Sequence, residues 1–254
     1  MGKKGEKKRA VSQQIDGTTA KELEELLSVR VEILNDFGEK LVACKRHKKA
    51  LAVLEEALEL SQVLVKISSD LYLPALAATL GNVGICYCHL GRHEEALAMT
   101  AKAVKHFKAL ADGSPENFLP VLAANLNNLG ACYGACGRDD EALVVVEESV
   151  RIYRSLAGKE PETYLFDLER SLRNLGYCYG VLHREEKAMV ALTEAGVRSV
   201  CFSCPDKRPQ LPRALATLAD LWRQKGNHST ADQLEKEAAR MSVNDLPPRN
   251  GNKK

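Results

Sequence analysis

The sequence repeats itself at a fixed spacing, and this repeat constrains the fold more than any other feature of the chain. Three segments, 80–97, 126–143 and 172–189, align without gaps at an offset of 46 residues. A fourth segment, 34–51, continues the same offset upstream, and a fifth, 215–232, fits downstream at an offset of 43 residues. Internal repeats of roughly 20 to 50 residues are typical of stacked units that share one core. The sequence therefore predicts about five copies of one structural unit in an array.

Each copy contains two stretches with helical periodicity. In the second copy, Leu76, Leu80, Val83 and Tyr87 recur every three or four residues, which places them on one face of a helix. Gly91 interrupts the pattern, and the acidic residues that follow it are typical of a helix N-terminus. The alternating pattern of strands does not occur. The sequence therefore predicts an all-α fold built from antiparallel helix pairs.

Aligned glycines and prolines support this repeat unit. Gly84, Gly130 and Gly176 lie inside the first helix of their copies, where glycine costs about 1 kcal/mol relative to alanine. We therefore expect close contact between the two helices of a pair at these glycines. We expect the prolines before the C-terminal tail to fall between repeats or in a first helical turn, where proline is tolerated.

The aligned copies share the pattern Leu-x-x-Leu-Gly-x-x-Tyr-x-x-x-Gly-x-x-x-x-Ala, which is clearest in 80–96, 126–142 and 172–188. This pattern resembles the tetratricopeptide repeat, and the resemblance covers residues 20–242. The period exceeds the usual period of that family, roughly 34 residues, and is similar to the elongated repeats of the kinesin-light-chain type. The resemblance implies a right-handed α-solenoid in which the atypical first and last copies act as caps.

The resemblance also implies that the first helices line a concave groove that binds an extended or helical peptide. Asn82, Asn128 and Asn174 share one repeat position, although asparagine is a poor helix former. An amide both donates and accepts hydrogen bonds, so a row of amides can hold a peptide backbone. The alternative is that these asparagines bond between neighbouring repeats. The predicted peptide-binding residues are Asp36, Asn82, Asn127, Asn128, Arg170, Arg173, Asn174 and Tyr177.

The charge of this predicted surface changes along the chain. The first copy carries Asp36 and Glu39, whereas the fourth copy carries Arg170 and Arg173. The pattern predicts a partner with a basic segment at one end and an acidic segment at the other, and ordinary surface charge is the alternative. Relatives that bind chaperone C-termini hold a carboxylate with a Lys/Asn pair in the first repeat. The acidic residues found there argue against a co-chaperone.

A second interpretation is a redox or metal-binding protein that uses the pair Cys201 and Cys204. A lone CxxC supplies two of the four ligands of a tetrahedral zinc site. It also lies near the end of a helical stretch, where the helix dipole does not lower the pKa of a thiol. Small buried side chains are the structural alternative. No phosphate-binding loop or nucleophile–base pair can be argued, so we predict a non-catalytic adaptor with no cofactor and no metal.

Composition narrows the partners and the location. The chain has 36 Lys and Arg against 34 Asp and Glu, a balance that argues against a general nucleic-acid binder. No uninterrupted run of 18 apolar residues occurs, so we expect no membrane span and no membrane partner. We expect a protein or peptide partner rather than a small-molecule substrate. We predict disordered basic tails at 1–17 and 243–254, an array at 18–242, and a cytoplasmic location, with nuclear entry through a basic tail as an alternative.

Overall fold

The structure is a computed structural model that describes the backbone of residues 3–203 and 210–244, and the side chains of 19–200 and 210–241. These residues form ten α-helices and no strand, which confirms the predicted all-α fold. In chain order the helices are α1 (Lys3–Ala43), α2 (His47–Ile67), α3 (Ser69–His89), α4 (His93–Gly113), α5 (Pro115–Ala135), α6 (Asp139–Ala157), α7 (Pro161–Val181), α8 (Glu185–Ser203), α9 (Leu211–Gln224) and α10 (His228–Asn244).

The helices repeat with the period of the sequence. Helices α3, α5 and α7 each have 21 residues and begin 46 residues apart. Helices α2, α4, α6 and α8 begin at the same spacing. The first and second helices of a pair pack together, as in α1 with α2 and α7 with α8. The second helix of one pair also packs on the first helix of the next, as α2 does on α3 and α6 on α7. The fold is therefore an all-α repeat array.

A left-handed residue lies in the turn within each of the five helix pairs. Gly91, Gly137 and Gly226 have φ angles of 74°, 71° and 79° there, a conformation that favours glycine. Lys45 and His183 take the same conformation in the first and fourth pairs, with φ angles of 58° and 55°. The repeat therefore keeps its turn geometry even where the sequence lacks the glycine.

The chain divides into two compact units, Met1–Leu110 and Ala111–Lys254. In the first unit, Leu54 of α2 packs in one apolar cluster with Val83 and Cys86 of α3. A second cluster joins α1, α2 and α3 through Val31, Leu64 and Tyr72. The stacking of α2 on α3 thus buries apolar side chains from both helices, which is the main source of stability in such arrays.

The glycines in the middle of the first helices touch the second helices of their own pairs. A Cβ atom on Gly38 would lie 2.5 Å from the Leu54 side chain, and one on Gly130 would collide with a methyl group of Val146. The close helix contact predicted at these positions is therefore present. The four crowded glycines are Gly38, Gly84, Gly130 and Gly176.

The fifth helix pair, α9 and α10, packs on a different face of its neighbour. In α6, Leu143 and Val146 are buried, whereas Met189 and Leu192 at the same repeat positions of α8 are exposed. The fifth pair instead meets the face of α8 that carries Glu194, which accepts a hydrogen bond from Trp222 Nε1 at 3.4 Å. The offset of 43 residues is therefore accompanied by a different packing arrangement.

Four charged side chains are buried where α6, α8 and α10 meet. Arg154 Nε lies 3.1 Å from Glu194 Oε1, and Arg198 Nη2 lies 3.0 Å from the same oxygen. Arg198 Nη1 also donates to Glu237 Oε1 at 2.7 Å. Burial alone would raise the pKa of Glu194, but the charges of Arg154 and Arg198 and their hydrogen bonds outweigh it, so the pKa lies below its usual value. The cluster is neutral as a whole.

The structure changes the prediction for the N-terminal tail. Helix α1 begins at Lys3, inside the segment 1–17 that we predicted to be disordered. The segment contains no proline and is rich in Lys and Gln, which are good helix formers. At the other end α10 reaches Asn244, and the rest of the predicted C-terminal tail lies outside the described residues.

Helix α3 is long and apolar enough to cross a membrane by length and composition alone. Polar residues interrupt its apolar sequence, so the search for uninterrupted apolar runs did not identify this helix. Half of its most apolar stretch is buried inside the protein, including Leu80 and Val83. Apolarity on several sides is expected of a first helix that packs on the second helices before and after it.

Candidate peptide-binding surface

A cavity of about 320 Å³ lies in the second unit between α5, α6 and α7. Helix α5 borders it with residues no larger than alanine, and the position of Tyr177 in α7 is occupied by Ala131 in α5. These small side chains leave the space into which a ligand side chain can enter. The lining residues are Gly130, Ala131, Gly134, Ala135, Asp139, Ala142, Val146, Asn174, Tyr177 and Cys178.

Two of the predicted site residues, Asn174 and Tyr177, meet at this cavity. The Tyr177 side chain is 70% exposed, which is unusual for an aromatic residue in a chain with few of them. Asn174 Nδ2 donates to Asn127 Oδ1 at 3.4 Å, a long hydrogen bond. Asn128 is partly exposed on α5 but does not line the cavity. The roles of Asn128, Asn174 and Tyr177 in binding stay predictions.

Asn127 has a structural role instead of the predicted ligand contact. Its side chain is 3% exposed, and its Nδ2 atom donates to Ser171 Oγ of α7. Both ends of the amide are therefore used between neighbouring repeats, since Oδ1 accepts from Asn174. The prediction that Asn127 contacts a peptide is wrong, because the side chain has almost no surface to offer.

Arg170 and Arg173 lie on the solvent-exposed side of α7. Arg170 Nη2 pairs with Asp167 at 2.9 Å, and Arg173 Nη1 pairs with Glu169 at 3.1 Å. Both guanidinium groups are exposed, so a ligand carboxylate can approach them. Neither arginine lines the cavity itself.

The remaining predicted residues lie in the first unit. Asp36 is exposed on α1. Asn82 Nδ2 donates to Glu39 Oε1 at 2.9 Å, which joins α3 to α1. Asn82 thus bonds between repeats, as the structural alternative predicted, and the contact of its partly exposed side chain with a peptide stays a prediction.

A row of buried polar residues was not singled out by the sequence analysis. Thr79, Asn125 and Ser171 share one repeat position, and each donates to the backbone carbonyl four residues earlier. Thr79 Oγ1 also accepts from Asn35 Nδ2 at 2.9 Å, as Ser171 accepts from Asn127. A polar residue recurring every 46 residues among apolar ones is the signal that would have revealed this row.

The buried cysteines act as small apolar side chains. Burial raises the pKa of Cys86 and of Cys178 to about 11, so both thiols are protonated near neutral pH. Across the described residues no group of three or more His, Cys, Asp or Glu side chains could hold a metal ion. The side chains of Cys201 and Cys204 lie outside the described residues, so the interpretation as a redox or metal site stays untested.

Comparisons with known proteins agree with the repeat architecture. Residues 75–155 match the family model of the tetratricopeptide repeat. No curated protein matches the chain. The apo form of RapI is 13% identical in sequence, with 84% of this chain and 83% of that chain covered and a TM-score of 0.52. BtubC (BKLC) from P. vanneervenii is 17% identical, with coverage of 98% and 96% and a TM-score of 0.53.

A third solved structure is a putative kinesin light chain from Podosopora anserina with nearly identical TPR-like repeats. It is 19% identical, with 85% of this chain and 97% of that chain covered and a TM-score of 0.48. At the identities of RapI and BtubC, structural similarity establishes the fold alone. The family match, the helix pairs that recur every 46 residues and this shared fold agree with one another. Residues 75–155 therefore match the tetratricopeptide repeat, and the described part of the chain has the fold of an all-α array of elongated repeats.

Proposed function

We propose that the protein is a non-catalytic adaptor that binds a segment of a partner protein at the cavity between α5, α6 and α7. The observation that carries this proposal is an open cavity of about 320 Å³ with an exposed tyrosine at its border. Small-ligand sites measure roughly 300–1,000 Å³, so the cavity suits one or two side chains of a peptide. The tetratricopeptide-repeat fold supports a role in protein interaction.

The lining of the cavity indicates the chemistry of the bound segment. Ala131, Ala135 and Val146 offer an apolar surface, which suits an apolar anchor side chain. Asn174 offers an amide beside it, which suits the polar backbone of a peptide. Tyrosine is frequent at the energetic centres of protein interfaces, because a large ring can be buried there at a small entropic cost. We therefore assign the anchor contact to Tyr177.

The charge near the cavity favours an acidic residue close to that anchor. Arg170 and Arg173 are exposed on the same helix as Tyr177. A carboxylate on the partner would exchange with the intrahelical carboxylates of Asp167 and Glu169, and would fix the direction of the bound segment more than its affinity. The charge pattern predicted an acidic segment in the partner, and we propose that this segment binds to the second unit.

We also propose a cytoplasmic location for this adaptor. Cys44 is an exposed thiol, and Cys86 and Cys178 are buried thiols that form no disulfide. Thiols persist in the reducing cytosol, whereas cysteines of secreted domains are usually bridged. This pattern supports the cytoplasm, and fractionation of cells that express the tagged protein would test it.

Filling the cavity tests the proposed binding site. A Cβ atom on Gly134 meets no atom within 4 Å, so Gly134→Leu starts from an uncrowded backbone position and adds its side chain at the cavity. Gly113→Leu is the matched control, because Gly113 is also helical, is equally uncrowded and lies away from the cavity. We expect affinity capture from lysate to recover a specific partner with wild type and with Gly113→Leu but not with Gly134→Leu.

A second variant, Tyr177→Ala, tests the same site by removing a side chain. Tyr177→Ala removes the exposed ring while leaving the backbone and the cavity open. We expect it to weaken capture of the same partner at least about tenfold, as hot-spot truncations do. Full capture by both Gly134→Leu and Tyr177→Ala, with circular dichroism equal to that of wild type, would show that the partner binds elsewhere.

A further inference from the structure

Two exposed faces of the chain carry apolar side chains at positions that are buried between other repeats. The start face consists of four apolar side chains on α1, and the end face consists of one arginine on α7 and two apolar side chains on α8. The start face is Leu26, Val29, Ile33 and Phe37, and the end face is Arg173, Met189 and Leu192. Within the described part of the chain, no helix covers either face.

The start face corresponds to the surface of a first helix on which the second helix of the preceding repeat packs. Ile33 is 61% exposed and Phe37 is 51% exposed. The residues one repeat later, Thr79 and Val83 of α3, are 0% and 1% exposed because α2 packs on them. The exposed apolar side chains of α1 therefore stand at the positions that α3 buries against α2.

The end face corresponds to the surface of a second helix on which the first helix of the next repeat packs. Met189 is 69% exposed and Leu192 is 49% exposed, although their counterparts Leu51 and Leu54 pack on Val83 of α3. This face is open because α9 and α10 pack on the other side of α8, through Glu194 and its partners. The position that the next repeat would occupy is consequently left unfilled.

The polar contacts between repeats predict how these two faces would match. Inside the second unit, Asn127 of α5 accepts a hydrogen bond from Asn174 of α7. Arg173 occupies the repeat position of Asn127, one repeat later in the chain. Asp36 occupies the repeat position of Asn174, three repeats earlier. A junction that reproduces the internal stacking therefore puts Arg173 opposite Asp36, so an amide pair is replaced by an ion pair of opposite charges.

We propose that copies of this chain stack head to tail, with the start face of one copy on the end face of the next. The junction would bring Met189 and Leu192 against Phe37, and Arg173 against Asp36. Pairing of two start faces is disfavoured, because exposed carboxylates flank this face on both copies and would repel one another. These carboxylates are Glu22, Glu25, Glu32 and Asp36.

The geometry of this junction determines the kind of assembly. The two faces differ, so the contact is heterologous and each copy in a pair keeps one free start face and one free end face. Association then continues into chains or rings instead of stopping at a dimer. The apolar side chains of the two faces do not line the cavity between α5, α6 and α7, so variants of Phe37 and Met189 test assembly separately from partner capture. Arg173 belongs both to the end face and to the proposed partner contact.

Blocking each face in turn tests the proposal on the full chain. Analytical ultracentrifugation should show wild type growing beyond a dimer as its concentration rises, whereas Phe37→Glu and Met189→Glu each stay monomeric. An equimolar mixture of these two variants should form a 1:1 complex and nothing larger, because only one intact junction is left. Val144→Glu is the control, since Val144 is 64% exposed on α6 and belongs to neither face.

Charge exchange tests the register of the junction. Asp36→Arg and Arg173→Asp should each weaken self-association by about tenfold or more, and high salt should weaken that of wild type. The double variant should recover association, because every junction then carries the exchanged pair. Wild type that stays monomeric at all concentrations, Met189→Glu that still dimerises, or a mixture without a 1:1 complex would each overturn the proposal. Circular dichroism would confirm that all variants are folded.

Discussion

Replacing Glu194 by glutamine tests whether the buried ion cluster holds the fifth helix pair. Glu194 accepts hydrogen bonds from Arg154, Arg198 and Trp222, and its side chain is fully buried. Glu194→Gln keeps the shape but changes the charge of the cluster from zero to +1. Besides residue 194, Arg154 contacts the Thr230 hydroxyl at 3.3 Å, whereas Arg198 would keep both carboxylate oxygens of Glu237.

The size of the effect follows from this loss of charge compensation. Removing one partner of a buried ion pair costs about 3–5 kcal/mol, because the other charge stays buried. We expect about 3 kcal/mol, the lower end of that range, because glutamine retains one acceptor oxygen and Arg198 retains Glu237. For a chain of this size the melting temperature should fall by roughly 6–12 °C.

Urea unfolding followed by circular dichroism measures this change. Glu235→Gln is the matched control, because Glu235 pairs with Arg223 at 2.8 Å on the surface near the same end of the chain. We expect the control to unfold almost as wild type does, since exposed pairs contribute little. A loss below about 1 kcal/mol for Glu194→Gln would refute the reasoning, because the cluster would then behave as a surface pair.

The same carboxylate gives the stability a defined pH dependence. Its pKa is lowered in the folded protein, so it contributes stability above its unfolded pKa of about 4.5 and loses that contribution as the pH falls through the folded value. Wild type should therefore lose its advantage over Glu194→Gln as the pH falls from about 7 to about 3. Urea midpoints of both proteins across that range would show it, and a constant difference would contradict it.

Two further predictions concern small side chains. Gly134→Ala should stabilise the fold by about 0.5–1 kcal/mol, since its Cβ meets open space. Gly130→Ala should cost about 1–3 kcal/mol, because its Cβ collides with the buried Val146 side chain. Thermal melts of the two variants compare these effects, and equal shifts of the melting temperature would contradict the packing. Cys44 should be alkylated within minutes while Cys86 reacts only as the fold opens, because burial raises the pKa of Cys86 to about 11; peptide mass mapping over time would measure both rates, and equally fast labelling would contradict the burial.

The helix pairs could be predicted because their signals are local and recur in register. The mid-helix glycines indicated close packing, and the structure shows their partners at contact distance. The partly exposed Asn174 and the exposed Tyr177 could also be placed on one surface, because they lie three residues apart on a helix. Periodicity within one helix and alignment between copies thus carry most of the fold.

Contacts between repeats were harder to predict, because a residue type does not reveal its partner. Asn127 and Asn128 are adjacent asparagines in the sequence, yet one is buried against Ser171 and the other is partly exposed. The difference comes from the direction of each side chain around the helix, 100° apart. Only the placement of the next repeat decides which of the two has a polar partner.

The charged cluster explains why the fifth copy leaves the regular stacking position. In α8, Glu194 and Arg198 replace positions that α6 fills with Glu148 and the buried Ile152. A face that carries two charges in its interior is stable only when it meets opposite charges, and α10 provides one in Glu237. The regular stacking face of α8 carries the apolar side chains of Met189 and Leu192, which an apolar helix can cover. Specific charge pairing therefore directs the chain's own last pair to one face of α8 and leaves the apolar face available to a second copy.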